Sequence, residues 1–171
     1  MEAFRDVLAV GGHRNSLGRS GEVVTLLLAD PTRLAELVDC VSDDDAWVRM
    51  RAVDAFEKVV AARPALGAPY VERILGGFAS SEQPSVQWHV AQLLAEVELT
   101  ATQRTRAVAW LRGRLATTDV DWIVASNAMK ALVGFHRDGH ADDVRADLEV
   151  QLGHRSASVR RHAARHLAAL S

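Results

Sequence analysis

Asp45-Ala46-Trp47-Val48-Arg49-Met50-Arg51-Ala52-Val53-Asp54-Ala55-Phe56 is the stretch whose reading decides the fold. Val48, Ala52 and Phe56 are spaced by four, which places them on one face of a helix. Asp45 stands three residues before the valine, where a helix N-cap belongs. The same Val-x-x-x-(Ala/Val)-x-x-x-(Leu/Phe) spine returns as Val86–Val90–Leu94, Val124–Ala128–Leu132 and Val159–Ala163–Leu167. Successive valines are 38, 38 and 35 residues apart, about the length of one two-helix repeat.

Ahead of each spine lies a second apolar pair: Leu37 and Val41, Leu75 and Ala79, Leu111 and Leu115, Leu148 and Leu152. Each unit is therefore expected to hold an outer A helix and an inner B helix. The punctuation supports this. Asp121 and Ser156 take the cap position of the third and fourth units, and Gln83 takes it in the second, followed by Pro84 at the first helical position. Asp30 before Pro31, and Thr100 or Thr102, mark other starts. Pro64 and the stretch His136 to Gly139 mark stops. No segment reads as a strand. Residues 1–29 do not repeat, and they are expected to form two short helices, Phe4 to Ala9 and Glu22 to Ala29, that cap the first unit.

Asp45-Ala-Trp-Val48-Arg49-Met-Arg-Ala52 and Ser156-Ala-Ser-Val159-Arg160-Arg-His-Ala163 resemble the HEAT repeat pattern of a cap, then Val-Arg, then Ala. The resemblance covers residues 30–171. It implies an all-α fold, a right-handed α-solenoid of about four helix pairs with its B helices lining a concave surface. The two middle units depart from the pattern, with Gln87 and Ala125 at the arginine position. An unbroken Asp–Arg ladder between units is not expected.

Aligned on the valine, the B helices present rows of equivalent positions. Three residues on come Arg51, His89, Asn127 and His162; six on come Asp54, Gln92, Lys130 and Arg165; two on come Met50, Trp88, Ser126 and Arg161. These rows lie away from the apolar spine. They form either the solvated side of four amphipathic helices or a ligand surface. The second reading makes Arg51, Asp54, Trp88, His89, Gln92, Asn127, Lys130, Arg161, His162 and Arg165 the candidate binding residues, with Trp88 as a flat apolar plate among polar groups. Trp110, in an A helix among Val108 and Leu111, is expected to pack in the core or between repeats, and Trp47 and Trp122 to plug joints between units.

The 171 residues carry a net charge of −2, which argues against wholesale nucleic-acid binding. The average conceals a gradient. Asp30 to Glu57 is acidic, whereas from His154 onward there is no carboxylate beside Arg155, Arg160, Arg161 and Arg165. The expected partner is a protein or peptide on the inner face, with nucleic acid on the basic last helix as the alternative. HEAT-like DNA glycosylases that excise alkylated purines resemble the chain in their concave, Trp-bearing surface. Trp88-x-x-x-Gln92 matches the spacing but offers an amide where that family's carboxylate is wanted.

Other chemistry is thinly represented. His162 and His166 are four apart but lack the glutamate of HExxH and sit beside Arg161 and Arg165, so no metal is expected. His136 and His140 fall in a turn. Gly11 to Ser20 departs from the phosphate-loop spacing, with Arg19 in place of lysine, and reads as a connector. Asp43, Asp44 and Asp45 form a loop-and-cap cluster. The single Cys40 excludes an intramolecular disulfide and reads as a buried thiol. No catalytic constellation, cofactor motif or membrane span is expected, and the location expected by default is cytoplasmic.

Overall fold

Helices begin where the sequence places caps. Asp45 and Asp121 accept the amide N–H groups of Trp47 at 2.8 Å and Ile123 at 2.9 Å, opening α4 (Ala46–Ala62) and α8 (Trp122–Arg137). Thr100 and Gln103 form a reciprocal capping box that opens α7 (Ala101–Leu115). Gln83 and Ser156 precede α6 (Pro84–Glu96) and α10 (Ala157–Ala169) without a side-chain cap; Pro84 gives α6 its first turn instead. Asp30 accepts from Thr32 ahead of α3 (Leu34–Cys40). A computed structural model describes residues 2–11 and 16–170. Within them the remaining helices are α1 (Phe4–Ala9), α2 (Ser20–Ala29), α5 (Val71–Arg73, continued by a π turn over Ile74–Phe78) and α9 (Arg145–Gln151). The fold is all-helical, with no strand among the described residues.

The spine forms the core. Val48, Ala52, Phe56, Val86, Val90, Leu94, Val124, Ala128, Leu132, Val159 and Ala163 are all buried, and Leu167 packs at the edge. The four helices that carry the spine touch in chain order: α4 on α6, α6 on α8, α8 on α10. Each also meets a preceding helix: α3 on α4, the π turn on α6, α7 on α8, α9 on α10. The sequence period has a hydrogen-bond basis as well. The residue after the spine valine reaches back to the carbonyl six positions earlier in three units, Arg49 to Asp43, Gln87 to Ser81 and Arg160 to His154. Ala125 has no group with which to do so. Between the first two units Arg49 also donates to Gln83 Oε1 at 2.8 Å, and Gln83 Nε2 donates to the Ala46 carbonyl.

Two outer helices depart from the expected register. In the second unit Ile74 and Phe78 are buried, while Leu75 and Ala79 are only partly so. Val71, Ile74 and Phe78 form the buried face at helical spacing; Gly76 and Gly77, weak helix formers, fall in a π turn closed by Ala79 N–H to the Ile74 carbonyl. In the fourth unit Leu148 is buried but Leu152 is 42% exposed, and the fully buried neighbour is Gln151. Its Nε2 donates to the Leu115 and Thr117 carbonyls at 2.8 and 2.9 Å, satisfying the end of α7. Gln151→Ala should therefore cost about 1 to 2 kcal/mol, because buried carbonyls lose their donor. Urea unfolding checks this, and unchanged stability would remove the assigned role.

The stop after α8 is a Schellman turn. Gly139 adopts φ +71°, its N–H reaches the His136 carbonyl, and His140 N–H reaches Phe135. His136 and His140 thus serve the turn. Trp110 is partly buried against the core and donates Nε1–H to the Ala79 carbonyl at 2.9 Å, joining α7 to the π turn. Trp47 is half-buried. Trp122 is 52% exposed, so it does not plug a joint. Cys40 is buried, and desolvation together with Asp43, Glu36 and Asp39 pushes its thiol up to about 11, which leaves it unreactive.

Candidate functional site

The aligned rows do not share one environment. Arg51 is 3% exposed and faces the amino-terminal segment. Its guanidinium donates to the carbonyls of Leu8 at 2.7 Å, Gly11 at 2.5 Å and Ser16 at 3.0 Å. Helices α1 and α2 pack on α4, so the segment expected to close one end also covers the first residue of this row. Gly18 completes the approach: at φ +52° it lies where a Cβ would sit 2.8 Å from the Val10 carbonyl and 3.1 Å from the Arg51 guanidinium carbon. Residues 12–15 of the connector, including Arg14, lie outside the described residues. Arg19 of the same stretch pairs with Glu2 and Glu22.

Asp54 and His89 are interior as well. Asp54 Oδ2 takes the Lys58 ammonium at 2.7 Å, and His89 Nε2 stands 3.6 Å from Asp54 Oδ1. Burial raises the Asp54 carboxyl, but His89 and Lys58 outweigh it and hold the group below its ordinary value. His89 Nδ1 lies 2.6 Å from the Ser85 carbonyl, so that nitrogen carries a proton. Trp88 stacks on the His89 ring at a centroid distance of 3.4 Å and is half-buried. Expected as an open row, Arg51, Asp54 and His89 instead knit α4 to its neighbours.

Gln92, Asn127 and Lys130 do come together. They line a groove of about 340 Å³ between α6 and α8, with Ala91, Ala95, Ala131, Gly134 and Phe135 as its apolar surface. Small residues on the facing helices open it: alanine and glycine leave space where larger side chains would interdigitate. Glu96 and Asp138 complete the lining. Asn127 Nδ2 is held by the Ile123 carbonyl of its own helix at 2.9 Å. A shallower hollow containing Leu94, Val97 and Arg104 shares Ala95, Phe135 and Asp138 with the groove, extending it around the ends of α6 and α8.

Glu96 is the residue that the rows missed. Burial, then repulsion and hydrogen bonding with Glu57 of α4, push its carboxyl up to about 7 against the opposing pull of Lys130. Its Oε2 and the Gln92 Oε1 are buried atoms with no hydrogen-bond donor. The signal was in the sequence: Glu96 is one further turn along the helix from Gln92, beyond the three offsets compared.

The basic end is separate. Arg161 and Arg165 are exposed and His162 is half-buried. No ion pair among the described residues involves an arginine of α10. Burial lowers the His166 pKa, and Arg137, His162 and Arg165 add to the effect, so Arg137 of α8 joins this cationic surface. No cluster of three metal-ligand side chains occurs among the described residues. Nor, among them, is any helix long and apolar enough to cross a membrane.

Comparison of the chain with known protein families, with curated proteins and with solved structures gives no match.

Proposed function

We propose that the chain is a non-catalytic binding module of HEAT-like build. Its four helix pairs form a right-handed solenoid capped by α1 and α2, and its inner face holds a segment of a partner protein in the groove between α6 and α8. The buried valine spine, the chain-order packing of the spine helices and the repeated back-bond from the residue after each valine support the solenoid reading. The groove carries the functional reading. Its apolar floor is rimmed by hydrogen-bonding groups, the composition of a peptide-recognition site, and three of its polar groups are ones that the repeat alignment selected.

The test is to obstruct the groove without disturbing the core. Ala95 lines it and is exposed, so Ala95→Trp should fill the space while leaving unfolding unchanged. Peptides selected against the full chain from a displayed random library should shift the amide resonances of Ala91, Ala95 and Ala131. They should bind A95W about tenfold or more weakly, the loss of a well-packed anchor. Selected peptides that bind both proteins equally would remove the groove from the function.

A second reading rests on the arginines of α10, which form no ion pair among the described residues: contact with an anionic polymer such as nucleic acid. Binding there should weaken steeply with salt and be indifferent to A95W.

A further inference from the structure

We propose that the groove between α6 and α8 receives a lysine or arginine side chain of the bound segment, its cationic head seated against Glu96 and Glu57. The inference rests on the groove being a peptide site and specifies what that site selects. Ala91, Ala131 and Phe135 offer an apolar wall suited to the aliphatic stem of a basic side chain. At its end the acceptors outnumber the donors. Gln92 Oε1 and Glu96 Oε2 are buried without a donor, and Glu57 approaches Glu96 from α4. Asp138 lines the same groove from the end of α8.

The cations facing this end are few. Lys130 lines the groove from α8, and Lys58, next to Glu57 on α4, is engaged by Asp54 at 2.7 Å. Glu96 and Asp138 therefore line the groove beside one ammonium, that of Lys130, with Glu57 behind Glu96; Arg104 and His140 line the adjoining hollow beside Asp138. Two adjacent carboxylates repel, and either a proton or a cation between them relieves the repulsion. Without a ligand, the proton held near neutral pH fills that role. When an ammonium or guanidinium enters, it remains charged, and the proton held by Glu96 leaves to solvent. Bulk cations do not fill the role equally well, because the apolar wall favours a head carried on a hydrocarbon stem.

The test uses the full chain and labelled peptides of about eight residues, built on an Ala/Leu/Gly background. One central position is lysine, arginine, Nε-acetyl-lysine or glutamate. At about pH 8, lysine and arginine peptides should bind about tenfold or more tightly than acetyl-lysine peptides, the scale of a charge-assisted hydrogen bond in a desolvated site. The preference should shrink to a few-fold at about pH 5.5, where the Glu96 carboxyl is protonated, and also in Glu96→Gln and Glu57→Gln at either pH. Calorimetry at about pH 7 in buffers of different ionisation enthalpy should detect proton release on binding of the lysine peptide. Acetyl-lysine peptides that shift the groove resonances and bind as tightly as lysine peptides would overturn the inference while leaving the peptide site standing. If no peptide shifts the groove resonances, both readings fall.

Discussion

Replacing Arg51 with alanine should cost about 3 to 5 kcal/mol of stability and loosen α1 from α4, because hydrogen bonds from a buried charged donor are each worth about 1.5 to 3 kcal/mol and overlap when shared. The arginine bridges from α4 to the carbonyls of Leu8, Gly11 and Ser16. Its loss removes this donor from those carbonyls, beneath a short helix whose buried residues are Phe4, Val7 and Leu8. Six residues of helix do not hold themselves together in water, so α1 depends on this anchorage. Lysine at the same position keeps the charge but not the fork that serves several carbonyls, and should recover only part of the loss. Urea unfolding followed by tryptophan fluorescence measures the change, and limited proteolysis locates it. A variant within about 1 kcal/mol of the parent, with α1 equally protected, would show that Arg51 is not the anchor.

Glu96→Gln has the opposite sign. The Glu96 carboxyl is raised from its ordinary 4.5 to about 7 by burial and by Glu57. Between those values the folded chain binds more protons than the unfolded one. The stabilising contribution is complete below about pH 4.5 and declines as pH rises through about 7. Above that, the folded chain carries two neighbouring carboxylates that the unfolded chain keeps apart. An amide at position 96 never ionises, so E96Q should be more stable than the parent by about 2 to 3 kcal/mol at pH 8, the size of the shift after allowance for solvent screening. For a chain of this length that raises the melting temperature by several degrees, at roughly 2 to 4 °C per kcal/mol. Near pH 5 the two proteins should differ by about 1 kcal/mol or less. Thermal unfolding across this range decides the matter. A parent no less stable than E96Q at pH 8 would mean that Glu57 and Glu96 do not repel.

A stabilising replacement in a surface groove is the expected mark of a site kept for something other than folding. It also separates the two roles of Glu96, since the same variant should gain stability and lose its preference for basic peptides.

Helix starts were legible because capping is local chemistry: Asp45, Asp121 and Thr100 satisfy amides within three residues of themselves. The spine was legible because a period of four repeated at fixed spacing leaves little choice of face. In the second unit the buried outer face runs Val71, Ile74, Phe78, one residue ahead of Leu75 and Ala79, because the apolar residues there allow more than one helical face. The groove was half legible. Gln92, Asn127 and Lys130 follow from aligned offsets, and Glu96 lies one turn past them on the same helix.

Tertiary structure alone decided the rest. Equal offsets give equal directions on equivalent helices, but not equal surroundings. Arg51 and Lys130 both lie on the polar rows, yet the first is roofed by the amino-terminal helices and the second is open. The approach of Glu57 to Glu96 brings together residues 39 positions apart on different helices. Pattern along one helix reports which way a side chain points; only the packing of its neighbours determines whether it meets water, a carbonyl or another carboxyl.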